Sequence, residues 1–202
     1  FAGSGNNGGD GLALARMLIL DGWNVTVLLV QQSGAMSSDA RLNYDRLKVH
    51  PKSKIIDFGL SADSFIIEDD GVVVDAVFGS GLNRPCSGLA LAAVKMINAS
   101  HATVVSIDIP TGLMGEDNRM ADGEGIVKAD YTLTFQFPKM AFLFAENERF
   151  VGQWIVMDIG LHRQAIEQTP THFFYLEAKD VACLLKKRSL HCHKGDFGHA
   201  LL

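Results

Sequence analysis

Residues 1–11 read Phe1-Ala2-Gly3-Ser4-Gly5-Asn6-Asn7-Gly8-Gly9-Asp10-Gly11, and the run that follows, Leu12 to Leu20, is apolar on nearly every side except at Arg16. Gly3 to Gly8 satisfy the spacing GxGxxG between what reads as the end of a strand, Phe1-Ala2, and a helix over Asp10 to Leu20. That is the context in which glycines give positive φ or close backbone approach, and in which successive N–H groups meet a phosphate at the positive end of a helix. A plainer reading makes the segment a tight βα turn with Asp10 as the helix N-cap. It leaves unexplained why Asn6 to Gly11 are all Asn, Asp or Gly.

Outward from this loop, short β-branched runs alternate with helical stretches, the pattern of a parallel sheet covered on both faces. Strands are expected at Trp23–Val30, Lys54–Phe58, Val72–Val77, Thr103–Ile107, Tyr131–Phe137 and Gln153–Met157, and helices at Met36–Val49 and Ser87–Asn98. The fold class is α/β, a Rossmann-like, doubly wound, mostly parallel sheet between two helical layers. Counting strands from Phe1-Ala2, the expected order is 3-2-1-4-5, which places strands one, four and five around the topological switch point. Two further loops leave strands there: Phe78-Gly79-Ser80-Gly81-Leu82-Asn83-Arg84-Pro85 and Asp108-Ile109-Pro110-Thr111-Gly112. All three loops are expected to open into one crevice.

That crevice gathers Asp75, Asp108, Asn7 and Thr111. Hard oxygen donors suit an alkali or alkaline-earth cation, and the lack of His and Cys argues against zinc or copper. Both aspartates are equally readable as acceptors for loop amides or as helix caps. A hydride-transfer dehydrogenase would need an acidic residue at the end of the second strand to hold a ribose, but Val30 is followed by Gln31 and Gln32. Lys139, after Pro138, is a lone cation at a strand end. His191-Cys192-His193 and His199 match no zinc spacing.

The 202 residues carry 18 Lys plus Arg against 23 Asp plus Glu, a net charge of −5, which gives no support to general nucleic-acid binding. Hydrophobic residues at 48% allow a sizeable core and exclude a disordered chain. The apolar stretch from Gly11 to Val30 breaks at Asp21-Gly22, so no membrane span is expected. Three widely spaced cysteines, Cys86, Cys183 and Cys192, fit a reducing cytoplasm rather than a disulfide framework. The only dense basic run is Lys186-Lys187-Arg188. With no initiator Met and a glycine loop at its start, the chain is expected to lack an N-terminal segment. Composition shifts after Leu161: residues 162–171 read as a linker containing Gln168-Thr169-Pro170, followed by a strand at His172–Tyr175, a helix at Ala178–Leu185 and a turn at Lys194–Gly198.

Five ordered segments carry a family resemblance: Gly3–Gly11, Asp75–Pro85, Ser106–Gly112, Thr134–Lys139 and Val156–Gly160. Together they resemble the NAD(P)H-hydrate epimerases, the YjeF N-terminal domain. His193–Leu202 resembles the opening of the fused NAD(P)H-hydrate dehydratase domain of bifunctional repair enzymes. The resemblance implies an N-terminally truncated epimerase domain over 1–161, a linker over 162–171, and an incomplete dehydratase domain over 172–202. It implies interconversion of the R and S forms of hydrated NADH or NADPH. A missing dehydratase would act on the S form with ADP or ATP and Mg²⁺. By motif, Asn6, Asn7, Gly8, Gly9 and Asp10, with Gly79, Ser80, Gly81, Leu82, Asn83, Arg84 and Pro85, would hold the substrate, and Asp108 would contact it. Asn7, Asp75 and Thr111 would bind K⁺, Thr111 replacing the more usual serine. A homodimer acting on a small molecule, without nucleic acid or membrane, is implied as well. A non-catalytic nucleotide-binding module is the alternative.

The chemistry can be argued from the substrate. The hydrated carbon bears OH beside the ring nitrogen, whose lone pair can expel it once an acid supplies a proton, and water can re-enter the planar iminium from either face. Asp108 is the candidate acid and base, with Lys139 the alternative proton donor.

Overall fold

The computed structural model describes residues 1–31, 35–61, 65–119, 123–185, 190–193 and 195. Gln32, the basic run Lys186-Lys187-Arg188, His199 and, apart from His193 and Gly195, the expected dehydratase opening lie outside the described residues. The chain divides into two compact units, Phe1–Gly160 and Leu161–Leu202.

The first unit begins with β-bridge residue Ala2, then α1 (Asn6–Leu20), β1 (Thr26–Leu29), α2 (Ser38–Lys48), β2 (Lys54–Asp57) and the single turn α3 (Phe58–Ser61). There follow β3 (Val72–Asp75), α4 (Gly88–Ala99), β4 (Thr103–Ile107), β5 (Tyr131–Phe135), α5 (Glu148–Val151) and β6 (Gln153–Met157). β1 pairs with β2, and β3 to β6 pair in sequence, all in parallel. Ala2 lies between the two sets, bridged in parallel to Leu29 on one side and Ala76 on the other. Backbone bonds fix this seam: the Ala2 amide donates to Leu28 O at 2.9 Å, and the Gly3 amide to Ala76 O at 3.0 Å. The expected order 3-2-1-4-5 is therefore present, extended by β5 and β6.

β1 buries Val27, Leu28 and Leu29 in succession, and β3 and β4 bury Val73, Asp75, Val104 and Ser106 beneath the helices. Leu28, Val73, Val77, Val94, Ile97 and Val104 form one apolar cluster, and Leu12, Ala15, Ile19, Val27, Leu29 and Leu47 form another, under α1 and α2. α1 is less enclosed than its composition suggests: Leu12 is fully buried, whereas Met17 and Leu20 are exposed. Its apolar face meets the sheet, and its last turn reaches solvent.

Several boundaries shift. α1 starts at Asn6, not Asp10, and its N-cap is Gly5, so the Asn/Gly run is the helix's own first turn. Asn and Gly are poor helix formers, which hid it; burial of Asn7, Gly8 and Gly9 against neighbouring backbone outweighs propensity. Asp10 lies inside the helix, and the N-cap reading fails. β1 begins only at Thr26, because the Trp23 amide closes the end of α1 on Leu18 O. Phe58 leaves the second pair to start α3.

In the second unit, α6 (Arg163–Gln168) occupies most of the expected linker, and α7 (Ala178–Leu184) matches the expected helix. His172–Tyr175 forms no strand. Its Phe173, Phe174 and Tyr175 are exposed, so β-propensity there lacks the packing that makes a strand favourable. No helix among the described residues is long and apolar enough to cross a membrane.

Candidate active site

The three loops do converge. A cleft of about 690 Å³ at the carboxyl ends of the central strands is lined by Asn6, Asn7 and Asp10 of α1, by Gly79 to Ser87, and by Asp108 and Phe135. Positions 6, 7 and 10 fall on one helical face, so a single wall carries two amides and a carboxyl group. Of the residues expected to hold substrate, Asn6, Asn7, Asp10, Gly79, Ser80, Gly81, Leu82, Asn83, Arg84, Pro85 and Asp108 line the cleft, whereas Gly8 and Gly9 lie behind it.

These two glycines act by size rather than by positive φ, which occurs instead at Gly22, Gly88, Gly112, Gly152 and Gly160. A Cβ on Gly8 would sit 1.9 Å from Gly3 O, and one on Gly9 would sit 3.0 Å from the Ala40 amide nitrogen of α2. Gly8 lets α1 start directly above the seam, and Gly9 lets α2 approach it.

Asp108 follows β4 with φ +66°, in the left-handed region that few non-glycine residues adopt. This backbone turns its carboxylate into the cleft. Oδ1 accepts from Lys139 Nζ at 2.8 Å and from the Phe135 amide at 3.3 Å, while Oδ2 accepts from the Ser80 amide at 3.3 Å. Burial acts to raise the carboxyl pKa, but the Lys139 hydrogen bond and charge and the two amides outweigh it, so Asp108 titrates below the usual carboxylate range. Lys139 does not line the cleft. Its ammonium is anchored between Asp108 and Phe135 O, at 3.2 Å from the latter.

Asp75 is placed differently, fully buried beneath the cleft floor. Its Oδ2 accepts from Ser106 Oγ and the Thr111 amide, both at 2.8 Å. Its Oδ1 accepts from Thr111 Oγ at 2.6 Å and the Val77 amide at 3.4 Å. Thr111 Oγ in turn accepts from the Phe78 amide at 3.0 Å. The carboxylate thus ties the ends of β3 and β4 to the loops above them. Asn7, 8% exposed, has its amide nitrogen and oxygen both buried with no hydrogen-bond partner. It lies against Gly79, whose Cβ would stand 3.5 Å from Asn7 Oδ1. An orphaned buried amide is costly in a native fold and marks a place where a ligand can bind. Among the described residues no group of three or more His, Cys, Asp or Glu could hold a metal ion.

Sequence reasoning missed Ser106 and Ser37. Ser106 was detectable as the hydroxyl inside the apolar strand Thr103-Val104-Val105-Ser106-Ile107, at a position that faces inward, whereas Thr103 at its start is exposed. Ser37, which lines the cleft, caps α2 through the Ala40 amide, and capping-residue chemistry could have found it.

Replacing Asp75 by alanine leaves the donors of Ser106, Thr111 and Val77 without their acceptor in a dry site. Each orphaned buried donor costs on the order of 1–3 kcal/mol. The melting temperature is expected to fall in sodium and potassium buffers alike, and an unchanged transition in either would show that Asp75 is not a structural tie.

Residues 1–141 match the family described as YjeF-related protein N-terminus. The chain is 37% identical to a bifunctional NAD(P)H-hydrate repair enzyme of Thermofilum pendens, over 98% of this chain and 37% of that one. It is 35% identical to an NAD(P)H-hydrate epimerase of Limosilactobacillus fermentum, over 78% of this chain and 72% of the relative. The chain thus spans little more than a third of the bifunctional relative's length. The crystal structure of yeast ynu0 superposes with a TM-score of 0.59 at 24% identity, over 89% of this chain and 73% of that one, and shares the fold. With the family match covering every cleft residue, this chain belongs to the YjeF-related protein N-terminus family.

Proposed function

We propose that the chain is an NAD(P)H-hydrate epimerase domain, interconverting the R and S forms of hydrated NADH and NADPH. The observation that supports it best is Asp108, held ionised by Lys139 at the mouth of a cleft whose other wall carries Asn6, Asn7 and Asp10. The α1 N-terminus and the Gly79–Pro85 loop present amides and the Arg84 cation, which suit a diphosphate. Asp108 then lies where it can take a proton from water entering the ring carbon. Lys139 keeps it anionic and oriented, a positioning role rather than that of proton donor.

A monovalent cation fits this reading. Asn7 offers the free amide oxygen, Asp75 the single negative charge and Thr111 a hydroxyl or carbonyl, and so few charges suit K⁺ better than Ca²⁺. Bound there, the ion would supply a fixed positive charge tying the three loops together. Since most of the acceptor capacity of Asp75 is already engaged, Asn7 is the ligand with capacity to spare. Residues 172–202 are read as the start of a dehydratase domain, acting with ADP or ATP and Mg²⁺ in the longer protein. A cytoplasmic setting accords with free Cys86, Cys183 and Cys192, and a homodimer is what the family resemblance implies.

The test is incubation of the full-length protein with R-NADPHX in KCl, following S-NADPHX by chromatography. Conversion faster than the spontaneous rate is expected. Tight binding without conversion would favour the nucleotide-binding module, and hydride exchange with NADP⁺ would revive the dehydrogenase.

A further inference from the structure

The epimerisation needs more than Asp108. Expulsion of the hydroxyl requires a proton donor on the face from which it leaves, and entry of water requires an acceptor on the face it approaches. Asp108 is ionised by its Lys139 partner, so it fills only the second role in the resting enzyme. Asp10 is the other carboxyl group lining the cleft, and it stands on the α1 wall while Asp108 stands at the end of β4.

We propose that Asp10 and Asp108 serve opposite faces of the bound ring, Asp10 giving its proton to the departing hydroxyl of one epimer while Asp108 takes a proton from the water that enters opposite. This rests on the epimerase reading above. The C–O bond breaks as the Asp10 proton passes to the hydroxyl, which leaves as water, and the ring nitrogen lone pair forms the iminium. A water O–C bond then forms on the other face, the iminium electrons return to nitrogen, and the spare water proton goes to Asp108. One inversion moves one proton from Asp10 to Asp108, and the reverse reaction runs with the roles exchanged. No oxidant or reductant is involved.

The surroundings of Asp10 suit a donor. Its carboxyl forms no ion pair among the described residues. Burial first, then the charges of Asp108 and of Asp39 in the first turn of α2, raise its pKa. Arg84, in the loop across the cleft, is the one basic side chain among the lining residues. Two carboxyl groups whose environments drive their pKa values apart are what acid–base division within one site requires.

The experiment compares parent, Asp10→Asn and Asp10→Glu full-length enzymes with R- and S-NADPHX. Asp10→Asn is expected to lower kcat by about 100-fold or more, the usual scale for a lost acid–base group. KM should stay within about threefold and the melting temperature unchanged, because the carboxyl caps nothing. The parent's fall in kcat as pH rises through the raised pKa of Asp10 should vanish in Asp10→Asn and persist in Asp10→Glu, which should regain about tenfold. Parent-like kcat in Asp10→Asn, a rise in KM alone, or a high-pH limb that survives the asparagine unchanged would overturn the assignment. A parent that fails to interconvert the epimers would instead defeat the epimerase reading itself.

Discussion

Asparagine at position 108 should cost about 10²–10⁴ in turnover, the range typical of a missing general base, while substrate affinity changes only a few-fold. The substitution suits the site sterically: asparagine tolerates the left-handed conformation at φ +66°, and its carbonyl can still accept from Lys139 and the Phe135 amide, while its NH2 takes the place of the oxygen that accepts from the Ser80 amide and gives up that one bond. What disappears is a negative charge and a proton acceptor. The acidic limb of the parent's pH–rate profile should also vanish, since it reports protonation of a carboxylate that Lys139 holds below its ordinary range. Steady-state rates across pH for both epimers would decide. An Asp108→Asn enzyme that keeps parental kcat would remove Asp108 from the chemistry.

Gly8→Val should prevent folding or remove most of the stability. The new Cβ would lie 1.9 Å from Gly3 O, and Gly3 is held to Ala76 O by the hydrogen bond at the seam, so backbone rather than a flexible side chain would have to move. Losses above about 4 kcal/mol belong to strain and clashes of this kind. Gly5→Ala is the control, because its Cβ would meet nothing within 4 Å. Soluble yield and urea denaturation should separate the two; a Gly8→Val protein as stable as Gly5→Ala would contradict the packing of α1 on the seam.

Much of this was legible in the sequence, for identifiable reasons. Runs such as Val72-Val73-Val74 and Thr103-Val104-Val105 mark parallel strands, although Val72 and Thr103 at their starts are exposed, and strand order followed from their alternation with helices. The convergence of loops at Asn7, Gly79 and Asp108 followed from that order alone. The start of α1 was hidden because Asn and Gly speak against a helix, and only the closeness of the seam explains why they are used. Asp75 and Asp108 look alike in sequence, each a strand-end aspartate before a glycine-containing loop. Their difference lies in distant partners, Ser106 and Thr111 for one and Lys139 for the other, which no local pattern supplies. The aromatic run at Phe173 misled because strand preference expresses packing, and its side chains are exposed.

The seam at Ala2 bears on how the site is assembled. β1 and β2 pair over a short stretch of chain, and β3 to β6 do so among themselves, but Ala2 joins Leu29 to Ala76 across a span of sequence that neither set bridges alone. Such a closure carries the larger loop entropy. The α1 wall rises from the seam, whereas the walls bearing Ser80 and Asp108 belong to the second set. The cleft comes into being only when the two half-sheets are stitched, and any molecule held between Asp10 and Asp108 fastens that stitch, adding its binding free energy to the cohesion of the sheet. Amide exchange at Gly3 and Ala76 is where that fastening would be felt first.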